Sequence, residues 1–161
     1  MNKFYKVSYE QFKKDVEKFD NEIDTELIYK DLKLPTRSTK HSAGYDFVAP
    51  FTFKVEKNKK YIIPTGIKCE MSEDKVLLCF SRSSYGFKYG FRLLNSTGII
   101  DADFYNNSDN EGHIMLGFMT DEDMMIMKGS KLFQAVITKF YITEDDNSTE
   151  DRKGGIGSTG I

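Results

Sequence analysis

Between Arg82 and Tyr105 the chain reads RSSYGFKYGFRLLNSTGIIDADFY. A cation stands beside two hydroxyls at Arg82, Ser83 and Ser84. An amide, Asn95, comes shortly before a glycine, and two carboxylates, Asp101 and Asp103, follow an apolar pair. A strand-rich core wants apolar residues at its buried positions and does not need so many polar groups so close together. Each piece alone reads more readily as a solvated turn, because Ser, Asn, Asp and Gly bond their own backbone. Together they read as a polar site held between short strands. Two further pieces could serve it. Asp46 is a carboxylate among apolar neighbours in AGYDFVA, where Gly44 allows a tight backbone path; on its own it also fits a turn cap. Near the carboxyl terminus, Arg152 precedes GGIGSTG, a glycine-rich run with hydroxyls whose backbone N–H groups can wrap phosphates.

These residues need a scaffold, and the hydrophobic pattern supplies one. Residues 8–20 carry a helical repeat, with Tyr9, Phe12, Val16 and Phe19 on one face. Ser8 is placed as N-cap with Gln11 three positions on, a capping box, and Val7 and Phe12 form a hydrophobic staple. This helix is expected to pack on its own domain, with partner binding as the other reading. Residues 21–42 are acidic, then polar, and read as an extended or looped approach. From residue 51 the period is two: Phe51, Phe53 and Val55, then Ile67, Cys69 and Met71 alternate with polar residues. Residues 56–60 form a charged turn and Pro64-Thr65-Gly66 breaks a strand. KVLLCF at 75–80 reads as a buried strand leading into Arg82. HIMLGFM at 113–119 and KLFQAVITKFY at 131–141 are two further strands, and MMIM at 124–127 reads as core or interface filler. Many short strands divided by turns predict an all-β fold, an antiparallel barrel or jelly roll. The tail from 142 is polar, with the composition of a flexible arm.

Composition removes several function classes. The 161 residues suffice for one domain with a real core. Lys plus Arg total 23 and Asp plus Glu 25, a net charge of −2, so there is no broad basic field for duplex nucleic acid. A polyanionic ligand would need a local cluster. Only two cysteines, Cys69 and Cys79, and two histidines, His41 and His113, are present, without zinc-site spacing; both thiols fall in apolar runs and are expected to be buried. No signal-like region and no apolar stretch of membrane length occurs, so a cytoplasmic setting is expected.

The motifs resemble those of the trimeric dUTPases (deoxyuridine triphosphate nucleotidohydrolases), five in family order. They are AGYDFVA at 43–49, Arg-Ser-Ser at 82–84, GIIDADF at 98–104, KGSKLFQ at 128–134 and the glycine-rich tail. The resemblance implies a jelly-roll homotrimer with active sites between subunits, the last motif reaching over from a neighbour. It implies hydrolysis of dUTP to dUMP and pyrophosphate, which limits uracil in DNA and supplies dUMP for thymidylate. Asp101 aligns with the general base for water. Arg82, Ser83, Ser84 and Gln134 align with phosphate contacts, and Arg152, Gly157, Ser158 and Thr159 with the arm that closes over the phosphates. Asn95, Gly98 and Ile100 lie in the hairpin that reads uracil, Phe104 packs on the deoxyribose, and Ile156 replaces the stacking Phe of the lid. Asp46 aligns with a carboxylate that holds Mg²⁺ through water. The chain departs from the family at Phe104 (usually Tyr), at Ser81 (usually Pro), and at Ser130 and Phe133, where a reshaped pocket is expected. Residues 106–113 look like an insertion. Two other readings stand beside this one: a dCTP deaminase-like enzyme of the same fold, and a nucleotide-gated module that binds a protein partner through the amino-terminal helix or the insertion. The expected organisation is a helical extension at 1–30, the β domain at 31–141 and the arm at 142–161.

Overall fold

A computed structural model describes residues 1–152, 154 and 155. In chain order the elements are β1 (Lys3–Lys6), α1 (Tyr9–Phe19), α2 (Thr25–Asp31), β2 (Thr36–Arg37), β3 (Tyr45–Val48), β4 (Phe53–Val55), β5 (Tyr61–Pro64), β6 (Ile67–Glu70) and β7 (Lys75–Ser81). Next come α3 (Ser83–Tyr89), β8 (Arg92–Leu93), β9 (Gly98–Asp101), a 3-10 turn at Ala102–Phe104, β10 (Met115–Met119), β11 (Met124–Ile126) and β12 (Lys131–Lys139). Among the described residues every ladder is antiparallel. The main sheet has the order β2-β3-β12-β7-β9, a second is β5-β10-β8, and β1-β6 and β11-β4 are pairs. This is the mostly β, antiparallel architecture that the strand pattern predicts, consistent with a jelly roll.

The period of two decides what each strand buries. On β4, Phe53 and Val55 are buried and Lys54 is exposed; on β6, Ile67 and Cys69 face inward. Aromatic rings fill the space between the sheets: Phe47 stacks on Phe133 at 4.4 Å and Phe91 on Phe118 at 4.7 Å between centroids. Cys69 and Cys79 are free and buried, and burial pushes both thiols up to about 12. The methionine run divides, with Ile126 in the core and Met125 and Met127 exposed.

The amino-terminal segment belongs to this same core. Phe4 of β1, Val7, and Phe12 and Val16 of α1 are all buried in it. Ser8 accepts from the Gln11 backbone N–H, as a capping box requires. The return bond departs from the expected pattern. The Gln11 side chain donates to Asp15 at 2.6 Å, and the Ser8 N–H is taken by Glu111, far along the chain, at 2.9 Å. One turn later Asp15 accepts from buried His113 at 2.7 Å, while His113 Nε2 accepts from Gly66 N–H at 2.7 Å. That second bond fixes the neutral tautomer with the proton on Nδ1. Burial would raise the Asp15 carboxyl, but the bonds from His113, Gln11 and Lys18 outweigh it and hold it well below the usual range.

Two helices are absent from the pattern reading. α2 forms where an acidic loop is expected, capped by Asp24, which accepts from the Glu26 N–H at 3.1 Å, with Glu26 and Lys30 paired along it. α3 forms directly after Arg82, with no buried residue.

Candidate active site

The strand β9 lies along the edge of the main sheet against β7, with Gly98 opposite Cys79 and Asp101 opposite Val76. A Cβ on Gly98 would sit 3.0 Å from that of Cys79, so this close pairing suits glycine. Beyond Asp101 the 3-10 turn carries Phe104 inward, where it is 5 % exposed. On the other side, the hairpin before β9 returns Asn95 toward β10, with the Leu94 N–H bonded to Gly117 O at 3.0 Å. The outcome is a cavity of about 220 Å³ lined by Asn95, Gly98, Ile100, Asp101, Phe104 and Arg152. Cys79, Ile99, residues 114–117 and Gly155 complete the wall among the described residues. Six of the sequence-predicted residues thus meet in one place.

Arg152 closes the cavity's rim. Its Nη2 donates to Asp101 at 2.5 Å and its Nε to Asp103 at 2.8 Å, with the guanidinium 5.7 Å from the Phe104 ring centre. The two carboxylates are half exposed, whereas the arginine side chain is only 10 % exposed.

A second group gathers at the far end of β7. Asp46 on β3 lies opposite Gln134 on β12, and Gln134 lies opposite Phe80. The Arg82 Nε donates to Asp46 at 3.0 Å, and Lys131 and Ser38 donate to the other oxygen of Asp46 at 2.7 and 2.6 Å. Burial would raise this carboxyl, but the Lys131 and Ser38 hydrogen bonds and the Arg82 charge hold it below its usual value. Gly44 makes room for Gln134, since a Cβ there would lie 2.6 Å from Gln134 Oε1. Ser83 and Ser84 occupy the first turn of α3 beside Arg82. The Phe133 ring faces the core against Phe47 and is fully buried.

Within one chain these two groups do not meet. Asp101 pairs with Val76 at the start of β7, whereas Arg82 comes directly after its last residue, Ser81. At about 3.3 Å per residue the two ends of that strand are roughly 20 Å apart. Ile156, Gly157, Ser158 and Thr159 lie outside the described residues. Sequence reasoning missed Ser38, Lys131 and the cavity residue Cys79, and it gave Asp103 no role of its own. Lys131 stood inside a quoted motif, and its charge beside Gln134 was the signal available. A separate cavity of about 270 Å³, between the end of α2 and Lys128–Gly129, holds none of the predicted residues.

Comparison with known proteins fits this arrangement. The dUTPase family model matches residues 30–160. The chain belongs to the dUTPase family. The deoxyuridine 5'-triphosphate nucleotidohydrolase of Lactococcus lactis subsp. lactis is 42 % identical over 143 residues, covering 86 % of this chain and 95 % of that protein. The crystal structure of the dUTPase from Streptococcus mutans aligns with TM-score 0.65 and 38 % identity, over 71 % of this chain and 91 % of that one. The dUTPase of phage phi11 of S. aureus shares the fold, with TM-score 0.65 at 20 % identity over 93 % and 97 % of the two chains. The family match spans both residue groups, so the cavity and the Asp46 cluster are both parts of a dUTPase domain.

Proposed function

We propose that this chain hydrolyses dUTP to dUMP and pyrophosphate, with deoxyuridine seated in the 220 Å³ cavity. The observation that carries the reading is the convergence of Asn95, Gly98, Ile100, Asp101 and Phe104 on that cavity in a chain of this family. Asn95 and the backbone of the 91–100 hairpin present donors and acceptors to the base edge. Uracil and cytosine swap a donor for an acceptor, and each unpaired buried group costs on the order of 1–3 kcal/mol. The Phe104 ring takes the face of the deoxyribose where a ribose hydroxyl would clash. Asp101, half exposed at the rim, takes the proton of a water that attacks the α-phosphorus in line, and pyrophosphate leaves. A deaminase of this fold would need a glutamate beside the base, and among the described residues none lines the cavity.

The phosphates fall to the second group. Arg82, Lys131, Ser83, Ser84 and Gln134 offer cationic and hydroxyl or amide donors aimed at charge that grows in the transition state. The roughly 20 Å between Asp101 and Arg82 in one chain exceeds what a triphosphate spans. One nucleotide therefore draws its base from one copy and its phosphate donors from another, which supports a homotrimer with sites between subunits. Residues 31–141 would form the β domain and 142–161 an arm, whose Arg152, Ser158 and Thr159 close over the outer phosphates with Ile156 and Gly157. The amino-terminal residues 1–30 would be an extension that is anchored by Phe4, Val7, Phe12 and Val16 in the same core.

The donor set fits Mg²⁺ in one way. No group of three or more His, Cys, Asp or Glu among the described residues could hold a metal. Mg²⁺ commonly takes one or two carboxylates together with substrate phosphates and keeps its waters. Asp46, already engaged by Arg82, Lys131 and Ser38, would hold the ion through water. Bound there, Mg²⁺ would chelate the triphosphate and offset its charge. The test is pyrophosphate release from dUTP, dCTP, UTP and dTTP with and without Mg²⁺. Release confined to dUTP supports the reading; equal turnover of UTP contradicts the role of Phe104, and ammonia release from dCTP overturns the whole assignment.

A further inference from the structure

The loop at 106–112 lies outside the cavity wall, yet its own side chains hold it in one shape. The Asn107 carboxamide closes it on both sides. Its Oδ1 accepts from the backbone N–H of Asp109 at 3.1 Å and of Asn110 at 3.2 Å. Its Nδ2 donates to Phe104 O at 2.7 Å and to Asn110 Oδ1 at 2.8 Å. Glu111 then ties the loop to the amino-terminal cap of α1 through Ser8 and to Lys68 at 3.2 Å. Such Asx-type bonding leaves a loop little conformational freedom.

From this fixed loop one carboxylate points outward. Asp109 accepts from the backbone N–H of Gly155 at 2.9 Å. Asn110, 8 % exposed, packs on the same glycine, where a Cβ would come 3.3 Å from its Nδ2. Three residues earlier Arg152 is held by Asp101 and Asp103. The chain before it, residues 140–151, is exposed throughout, and contact resumes at Arg152.

We propose that the 106–112 loop is a receptor for the root of the carboxyl-terminal arm, with Asp109 the positioning residue that fixes Gly155 at the cavity wall. Arg152 alone can swing about its long side chain, because its two acceptors hold only its tip. A bond from a rigid loop to the backbone at Gly155 removes that freedom, so the arm departs from a fixed point beside Asp101. Every copy carries the same loop and the same arm, so an arm exchanged between copies makes the same contacts. The proposal deepens the dUTP-hydrolase reading and rests on it for its kinetic consequence. The docking itself is read without substrate.

The test uses the full chain and three variants, Asp109→Ala, Asp109→Asn and a truncation after Asp151, with trypsin cleavage after Arg152 followed by mass. Asp109→Ala should speed that cleavage about five- to tenfold, the size expected for losing one hydrogen bond to a charged acceptor at a partly open site. Asp109→Asn keeps an acceptor and should cleave at the wild-type rate. The dUTP KM of Asp109→Ala should rise by a similar factor with kcat changed less, and the substitution should add nothing in the truncated protein. Unchanged cleavage in Asp109→Ala overturns the receptor, whatever the activity. A KM defect that persists undiminished after truncation shows that Asp109 acts on something other than the arm and also overturns it. If no nucleotide is hydrolysed but the cleavage difference stands, the docking survives and the hydrolase reading fails.

Discussion

Asp15 is the point where the amino-terminal helix is fastened to the barrel, and its replacement by Ala should be costly. The side chain of Asp15 is 2 % exposed and accepts from His113, Gln11 and Lys18. Lys18 is 64 % exposed and returns to water, so its loss counts for little. His113, wholly buried, and Gln11, 9 % exposed, lose their acceptor with no solvent to replace it. At about 1–3 kcal/mol for each stranded donor, the expected cost is roughly 3 kcal/mol. In a chain of this length, where 1 kcal/mol moves Tm by about 2–4 °C, that is a fall of roughly 6–12 °C. The pH dependence adds a second constraint. The folded carboxyl sits below its ordinary value of 3.8, so its stabilisation is complete above that value and is lost as pH falls toward the folded value. The Tm gap between wild type and Asp15→Asn should therefore be widest near neutral pH and narrow below 3.8. Calorimetry at pH 7 and pH 3 measures both. A Tm within one or two degrees of wild type for Asp15→Ala, or a gap that widens in acid, would refute the reasoning.

Other outcomes rest on single contacts. Lys131→Met removes one of the cations on Asp46 and a candidate phosphate donor; KM for dUTP should rise by at least about tenfold in steady-state assays, because charge-assisted bonds are the stronger class. Gly112→Ala puts a Cβ 2.6 Å from Phe104 O at a φ of +78°. It should cost at least about 2 kcal/mol in urea unfolding and loosen the 106–112 loop.

The parts that could be read from the sequence are those whose signal is local. β4, β6 and β10 bury alternate residues as their apolar periods indicate, and Ser8, Phe12 and Val16 announce α1 through cap and spacing. Asn95, Gly98, Ile100, Asp101 and Phe104 were legible as a group because one hairpin and one turn carry them all. α2 went unread because Leu27 is exposed and only Thr25 of its seven residues is buried, leaving Asp24 as the sole cue. α3 buries nothing, so no period could reveal it. The Glu111–Ser8 and His113–Asp15 bonds join residues about a hundred positions apart, a pairing that no single-sequence period encodes. Ser38 was likewise invisible until β2 and β3 paired and brought it to Asp46.

The central claim is that Asp101 and the Arg82 group serve one nucleotide from different copies of the chain. Asp101→Asn and Arg82→Ala subunits, each inactive alone, can be co-expressed with different tags and the mixed oligomer purified. If the site is shared between neighbours of a trimer, one of the three sites in each purified mixed trimer pairs an intact Asp101 with an intact Arg82, and pyrophosphate release from dUTP returns to about a third of wild type. Mixed oligomers that stay as inactive as either parent would show that both residues act within one chain, and would contradict the account.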